Sequence, residues 1–284
     1  MSAVTPTVLA RILQSTREEL QARKREVPQQ ALEDQAASAL ADRAQSRARS
    51  LHDALRGPRI AVIAEFKRRS PSAGSLRAEA DVATIARAYE LGGASALSVL
   101  TEGPNFGGSL ADLRAARDAC ELPILRKDFI VDPYQLQEAL LAGADAVLLI
   151  AAALAREELE SLHRQARELG LDVLVEVHDR DELESAVSLG AELIGVNNRD
   201  LRDFSVDVGR TSLLMAEMPP GVTVVSESGI ASAAQLLSLE REGVQAVLVG
   251  GSLMRAGDPQ AALQALLTRD ETARETPVPP SARL

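Results

Sequence analysis

The sequence predicts an α/β protein of the (β/α)8 TIM barrel class with a helical N-terminal extension. From residue 60 onward one unit repeats, consisting of a short apolar run, a polar turn and a helical pattern. Eight such units occupy about 210 residues, the size of one closed barrel. A doubly wound sheet is the alternative, but it usually carries a glycine-rich dinucleotide motif after its first strand, and none follows residues 60–66.

The eight apolar runs have the length and composition of strands that are buried on both faces. They span residues 60–66, 94–100, 123–126, 145–150, 172–177, 192–196, 222–226 and 245–249. Helix starts and stops lie between them. A helix is expected to open at Asp81 and stop at Gly92, and Asp-Pro pairs at residues 132–133 and 258–259 place a capping side chain before a first-turn proline.

Three segments are expected along the chain. Residues 1–56 contain no strand-like run and predict two helices, over 4–24 and 30–55, separated by Pro28. Residues 57–268 form the barrel, which would be the catalytic domain. Residues 269–284 are rich in Pro, Thr, Arg and Glu, which predicts a disordered tail.

Composition excludes several classes of function. A net charge of −10 argues against nucleic acid or an anionic membrane as the main partner. No apolar run approaches the roughly 18 residues that a membrane span needs. The single cysteine, Cys120, fits a reducing cytoplasm, and the three histidines lack ligand spacing, so neither a metal nor a cofactor is expected. A monomer or weak homo-oligomer is expected.

Lysine is rare in this chain, which makes each lysine informative. Of 31 basic residues only Lys24, Lys67 and Lys127 are lysines, which leaves 28 arginines. Arginine does not give up its proton in a protein, whereas lysine can. Since two of the three lysines lie at predicted strand ends, they are candidates for proton transfer.

The active site of such a barrel lies at the carboxyl ends of the strands. At these positions the buried runs abruptly become polar, and each charged group there would cost desolvation unless it is paired or serves a ligand. The residues in question are Glu65, Lys67, Thr101, Lys127, Phe129, Glu176, Asn197, Arg199, Glu227, Ser228, Gly250 and Gly251. Glu65 and Lys67 share one face of the first strand, and they must pair with each other or meet another charged group.

The last two units predict a phosphate site. Residues 226–230 (SESGI) and 249–252 (VGGS) are small and expose backbone after the seventh and eighth strands. Barrels commonly hold a phosphate there with backbone N–H groups and a short helix. The partner expected is therefore a small, anionic, phosphorylated substrate.

These motifs together resemble the indole-3-glycerol phosphate synthase family of tryptophan biosynthesis. The resemblance covers residues 5–267 and rests on residues 63–72 (IAEFKRRSPS), 125–130 (LRKDFI), 174–178 (LVEVH), 194–201 (IGVNNRDL), 226–230 and 249–254 (VGGSLM). The first and fourth motifs are specific to the family, whereas the phosphate motifs are shared more widely among barrels.

The resemblance implies ring closure of 1-(2-carboxyphenylamino)-1-deoxyribulose 5-phosphate to indole-3-glycerol phosphate with loss of CO₂ and water. It implies that Lys127 is the general acid on the carbonyl and Glu176 the base that helps remove the hydroxyl. The other implied site residues are Glu65 and Lys67 beside the reacting centre, Asn197, Glu227 and Ser228 orienting the substrate, Ser70 and Arg199 facing the anthranilate carboxylate, Phe106 and Phe129 lining the ring, and Gly229, Gly250 and Gly251 at the phosphate.

The residue chemistry agrees with these roles. An aromatic carbon attacks a ketone only if the developing alkoxide receives a proton. We expect Lys127, which lies near other cations and is partly desolvated, to lose its proton more readily than a free lysine. His178 follows Glu176 by two residues past an apolar one, and we expect it to point away from the Glu176 face with a structural or exposed role.

Some positions depart from the family pattern. Residues 103–105 (GPN) replace a more charged and aromatic loop, Gln137 stands where a tyrosine is common, Gly251 where Glu or Ser is common, and Arg69 replaces a frequently small residue. Two alternatives stay open at this point. Another phosphosugar enzyme, such as phosphoribosylanthranilate isomerase, would isomerise without releasing CO₂, and a non-catalytic phosphate-binding barrel would be expected to lack one of the acid–base residues.

Overall fold

A computed structural model gives the fold, and it describes residues 7–45, 49–200 and 204–268. Eight parallel strands close into a barrel, and a two-stranded antiparallel hairpin, β2 and β3, interrupts the first loop. The strands are β1 Ala61–Phe66, β2 Arg69–Ser70, β3 Gly74–Ser75, β4 Ala96–Leu100, β5 Ile124–Lys127, β6 Ala146–Ile150, β7 Asp172–Val177, β8 Leu193–Asn197, β9 Thr223–Glu227 and β10 Ala246–Val249.

The barrel closes between its first and last strands. β1 pairs with β4 on one side and with β10 on the other, where Ile63 lies opposite Leu248. This confirms the predicted (β/α)8 barrel, and every predicted barrel strand is found within two residues of its expected bounds. The hairpin of β2 and β3 was not expected, because the sequence there reads only as a turn.

Helices surround the barrel. They are α1 Val8–Glu26, α2 Gln29–Gln45, α3 Leu51–Ala54, α4 Val82–Gly92, α5 Leu110–Ala119, α6 Pro133–Leu141, α7 Arg156–Glu168, α8 Arg180–Ser188, α9 Gly209–Met215, α10 Ala233–Arg241, α11 Gly251–Arg255 and α12 Pro259–Leu267. The capping side chains act as predicted: Asp81 accepts from Thr84 N, and Asp132 and Asp258 cap α6 and α12 ahead of a proline. No helix of the described ranges is long and apolar enough to cross a membrane.

The core has two layers because successive strand residues point to opposite sides of the barrel wall. Ala61 and Ile63 of β1 fill the barrel interior, whereas Val62 and Ala64 pack outward against the helices. Each fully buried aliphatic side chain of this kind contributes about 1.5–3 kcal/mol. Glu65 continues the interior row, so the strand itself carries a carboxylate to the mouth of the barrel.

The N-terminal extension contacts both ends of the barrel. Ile12 and Leu13 of α1 belong to the apolar cluster that includes Phe106 and Phe129 beyond the carboxyl ends of the strands. At the opposite end, the backbone N–H of His52 in α3 donates to Asp172 at the start of β7. The prediction of a single helix over 30–55 is wrong, because α2 ends at Gln45 and α3 is a separate helix.

Polar contacts fix the end of α1 to the barrel. Arg23 Nε donates to Glu138 of α6 at 2.7 Å, and Lys24 Nζ donates to Asp132 at 2.7 Å. The hydroxyl of Tyr134 donates to the carbonyl of Val27 at 3.0 Å. The division into an extension, a barrel and a tail stays a prediction, and the tail predicted over 269–284 lies outside the described residues.

Candidate active site

A cavity of about 290 Å³ opens at the carboxyl ends of the barrel strands. Of the residues that the sequence places at the site, Thr101 does not line this cavity, and all the others do: Glu65, Lys67, Ser70, Phe106, Lys127, Phe129, Glu176, Asn197, Arg199, Glu227, Ser228, Gly229, Gly250 and Gly251. They come from strands and loops spread around the whole mouth, which explains why residues far apart in sequence meet here.

The first strand supplies an ion pair at the cavity wall. The Lys67 ammonium donates to the Glu65 carboxylate, as their shared face predicts, and Glu65 is only 3% exposed. Glycine at position 250 makes room for this carboxylate, because a Cβ there would collide with Glu65. The pair and the phosphate-side loop therefore fit together only if residue 250 has no side chain.

Lys127 lies at the centre of the cavity floor between two carboxylates. Its Nζ is 2.7 Å from Glu176 Oε2 and 3.0 Å from Glu227 Oε2. Burial by itself would lower the pKa of Lys127, but the carboxylates outweigh it, Glu176 first and Glu227 second, and the pKa is raised overall. The prediction of an ammonium that loses its proton more readily is therefore wrong, because the neighbours that count are anions.

Glu176 receives hydrogen-bond donors on both carboxylate oxygens. Its Oε2 faces Lys127, and its Oε1 accepts from Asn197 Nδ2 at 3.1 Å. Burial raises the pKa of Glu176, but the charge of Lys127 and that of His178 outweigh it, so the pKa is lowered. Glu176 is thus an ionised carboxylate at neutral pH, the form that a general base needs.

The pKa of Glu227 is shifted in the opposite direction to that of Glu176, although both carboxylates lie beside Lys127. Burial raises its pKa to about 7, against the attraction of Lys127 and with repulsion from Glu176. The asymmetry has a geometric cause, because Glu227 Oε1 is buried and makes no hydrogen bond within the described part of the chain. Two carboxylates on one lysine thus take different protonation states near neutral pH.

His178 lies beside Glu176, which corrects the expectation that it points away. Its Nε2 is 3.4 Å from Glu176 Oε1, and its side chain is 10% exposed. Strand alternation in fact places residues two apart on the same face, so the expectation misapplied the rule, although β7 itself ends at Val177.

The end of the cavity formed by residues 228–229 and 250–251 has unusual backbone conformations. Ser228 and Gly229 both have positive φ, 63° and 86°, and a non-glycine residue in this region is uncommon. Gly251 begins the short helix α11, and the guanidinium of Arg255 lies 3.5 Å from the position that a Cβ of Gly251 would take. Sequence reasoning missed Arg255, although its spacing of four residues from Gly251 could have indicated it.

An apolar wall faces the charged cluster. The rings of Phe106 and Phe129 have centroids 6.2 Å apart and are tilted by 37°. Arg69 Nη2 donates to the carbonyls of Gly103 at 3.1 Å and Pro104 at 2.8 Å, so two departures from the family pattern contact each other in the loop that carries Phe106. Other lining residues that sequence reasoning did not name include Leu76, Ala73 and Phe204.

A closed barrel with carboxylates, lysines and glycine-rich turns together at one mouth is typical of a class of protein, the barrel enzymes that act on phosphorylated small molecules. A family model described as "Indole-3-glycerol phosphate synthase" matches residues 9–266. The chain belongs to this family. It is accordingly a carboxy-lyase of tryptophan biosynthesis, as its resemblance implied.

Individual relatives agree with the family. "Indole-3-glycerol phosphate synthase 2" of Streptomyces coelicolor is 52% identical over 220 residues, covering 78% of this chain and 85% of the relative. The Micrococcus luteus protein of the same family name is 46% identical over 273 residues, covering 94% of this chain and all of the relative. A solved structure of N-acetylmannosamine-6-phosphate 2-epimerase from Clostridium perfringens has a TM-score of 0.58 at 16% identity, covering 73% of this chain and 92% of that one, and supports the fold alone.

Proposed function

We propose that the cavity closes the indole ring of 1-(2-carboxyphenylamino)-1-deoxyribulose 5-phosphate with Lys127 as the general acid and Glu176 as the general base. The observation that carries this assignment is the bridging position of Lys127. Its ammonium lies within hydrogen-bond distance of both Glu176 and Glu227 on the cavity floor. A buried ammonium between two carboxylates can deliver a proton and recover one from the same neighbours.

In the first step, the ring carbon that carries the carboxylate attacks the ketone carbon. The π electrons of the carbonyl move to its oxygen, which takes a proton from Lys127, so no free alkoxide accumulates. The bond to the carboxylate then breaks, CO₂ leaves, and the electron pair returns to the ring. The raised pKa of Lys127 keeps the ammonium protonated until the alkoxide forms.

In the second step, the new hydroxyl leaves as water. Glu176 removes the proton from the carbon between the amine and the former ketone, and the hydroxyl takes up another proton as it departs. Because the ionised carboxylate leaves as neutral CO₂, one turnover takes up one proton net. Glu176, which lies 2.7 Å from Lys127, can return its proton to the lysine for the next turnover. Glu227 holds a proton part of the time near neutral pH and can share it across the same lysine.

The remaining site residues bind and orient the substrate in this proposal. Lys67, Ser70 and Arg199 face the substrate carboxylate, and Glu65 holds Lys67 in place through their ion pair. Phe106 and Phe129 cover the aromatic ring. Asn197 and Ser228 orient the chain of the sugar. The backbone of Gly229, Gly250 and Gly251 receives the phosphate, where a side chain would block close approach.

The test uses the absence of tryptophan from the chain, which leaves its own fluorescence weak. A newly formed indole can be followed directly by fluorescence when substrate is added. Lys127→Arg keeps the charge but does not give up a proton, so we expect near-total loss of indole formation. Lys24→Arg is the matched control, since Lys24 pairs with Asp132 and does not line the cavity, and it should retain activity.

The outcomes separate the function from the residue assignment. If both the wild type and Lys127→Arg form indole, the proposed function stands but the general acid is another residue. Lys67 is then the next candidate. A folded wild type that produces no indole would instead contradict the function and favour isomerisation of the phosphosugar without release of CO₂.

We also propose that the protein acts in the cytoplasm as a monomer or a weak homo-oligomer. The single cysteine, Cys120, is buried and unpaired, which suits a reducing compartment. Among the described residues, large exposed apolar side chains lie on different parts of the chain, such as Val27 after α1, Leu91 on α4 and Leu213 on α9, which does not favour one extensive interface. Sedimentation velocity over a concentration series tests the oligomeric state, and a stable oligomer at all concentrations would contradict the proposal.

A further inference from the structure

His178 joins the active site to the first turn of α8. Its Nδ1 lies 3.0 Å from Glu182 Oε2, and its Nε2 lies 3.4 Å from Glu176 Oε1. Within the described residues Nε2 makes no hydrogen bond, although it is buried. The imidazole therefore stands between two carboxylates, with one nitrogen held and the other aimed at Glu176.

Helix capping alone does not account for this arrangement. Glu182 is the third residue of α8, and its Oε2 accepts from the backbone N–H of His178 at 2.8 Å, as a capping side chain does. Asp179 already caps the helix by accepting from Glu182 N at 3.0 Å. Capping would be satisfied with any residue at position 178, so the contact between the imidazole and Glu176 needs a separate explanation.

The charges that face His178 are carboxylates on three different elements. They are Glu176 on β7, Glu182 on α8 and Glu227 on β9. Burial lowers the pKa of His178, but the hydrogen bond to Glu182 and the charge of Glu176 outweigh it and raise the pKa overall. An imidazolium is the form that this environment favours.

We propose that His178, held by Glu182, is a positioning residue that keeps Glu176 ionised and turned toward Lys127. The imidazolium and Asn197 lie next to Oε1 of Glu176, so Oε2 remains directed at the Lys127 ammonium. This inference rests on the proposed role of Glu176 as the base. His178 touches no reacting atom in it and acts only through Glu176.

The proposed coupling between the His178 proton and the Glu176 charge can be measured at either residue. If the His178 proton and the Glu176 charge stabilise each other, removing either one must change the titration of the other by the same amount. Opposite charges this close lower a carboxyl pKa by about one pH unit or more. His178→Gln should therefore raise the pKa of Glu176 and move the acid limb of kcat/KM about one pH unit higher.

The first experiment titrates the histidine side chains by NMR and does not depend on activity. The chain has only His52, His163 and His178, so assignment by substitution is direct. We expect His178 to titrate above the ordinary histidine value of about 6.5. Glu176→Gln and Glu182→Gln should each lower its midpoint by about one pH unit. His163 serves as the internal reference. Burial and then Arg167 lower its pKa, and Glu176 and Glu182 are not among the groups that shift it.

The second experiment measures indole formation against pH for His178→Gln, with His163→Gln as the control on α7. A shifted acid limb in the first variant alone, together with the NMR coupling, supports the proposal. If the midpoint of the His178 titration is the same in Glu176→Gln as in the wild type, the proposal is overturned. An unchanged acid limb of kcat/KM in an active His178→Gln enzyme overturns it as well. If the wild type forms no indole, the proposed function fails, and the His178 titration of the wild type compared with Glu176→Gln still reports whether the two residues are coupled.

Discussion

The carboxylate of Glu227 occupies the space that a side chain at position 195 would need. A Cβ on Gly195 in the middle of β8 would collide with Glu227 Oε1, the oxygen that makes no hydrogen bond within the described residues. Glycine in a strand interior usually weakens the strand, so its presence here has a specific cause. The interior of the barrel is therefore shaped around the Glu227 carboxylate.

Gly195→Ala should therefore impair the reaction while leaving the barrel folded. The added methyl pushes Glu227 away from Lys127, and a displacement of about 1 Å at a reacting group can lower the rate about 100-fold. We expect kcat for indole formation to fall by roughly this factor. Gly257→Ala is the control, because no atom lies within 4 Å of a Cβ there. Unchanged kcat in Gly195→Ala would mean that the position of Glu227 does not matter.

Glu227 should also make stability depend on pH. Its pKa of about 7 in the folded protein is higher than the ordinary value of 4.5. As pH rises from about 4.5 to 7, the unfolded chain loses this proton before the folded one does, so the contribution of Glu227 to stability falls across that window. Above pH 7 the folded carboxyl is ionised as well, and the loss is complete.

Glu227→Gln removes this titration while it keeps the shape of the side chain. We expect the variant to match the wild type in free energy of unfolding near pH 4, below both pKa values, and to exceed it at pH 8. Urea unfolding at the two pH values measures the difference, with exposed Glu157→Gln as the control. A variant that is less stable than the wild type at pH 8 would contradict the raised pKa.

Arg255 should bind the substrate phosphate. The absent side chain at Gly251 leaves its guanidinium room to lie along the phosphate end of the cavity, and guanidinium groups match phosphate geometry. Arg255→Met should raise KM about tenfold with kcat nearly unchanged, since a charged hydrogen bond contributes about 1.4 kcal/mol or more. Arg241→Met on α10 removes the same charge outside the cavity and should change neither constant. Equal KM in both variants would remove Arg255 from the site.

A buried network beside Lys127 should be needed for stability. Arg126 is 1% exposed, and its Nη2 donates to Asp128 Oδ2 at 2.9 Å, which also accepts from Thr101 at 2.6 Å. Asp128→Ala leaves a buried guanidinium short of an acceptor and should cost about 3–5 kcal/mol. Asp258→Ala, which removes an exposed helix cap, should cost about 1 kcal/mol. Urea unfolding followed by circular dichroism compares them, and equal costs would contradict the prediction.

Local patterns predicted the barrel and the membership of the site well. Strand bounds follow from short apolar runs, and residues at strand ends must meet in a closed parallel barrel, so Glu65 and Glu227 could be assigned to one cavity without coordinates. The resemblance to a family then supplied roles that spacing alone cannot provide.

The errors arose where three-dimensional neighbours decide. The direction of the Lys127 pKa depends on which charges surround it, and carboxylates from β7 and β9 come closer than the cations that were expected. His178 is the exception: it was misplaced because residues two apart on a strand share a face, and the expectation did not apply that rule to Glu176 and His178. Arg255 escaped notice because its spacing from Gly251 matters only once α11 forms.

The contacts of α1 have a consequence for how the chain is made. Arg23 pairs with Glu138, which lies 115 residues later in the sequence. At a synthesis rate of about 5–20 residues per second, the ribosome needs roughly 6–23 s to reach the partner. Throughout that interval the apolar face of α1, with Ile12 and Leu13, has no barrel to cover. A nascent chain stalled before residue 138 should therefore expose this face and bind chaperones through it.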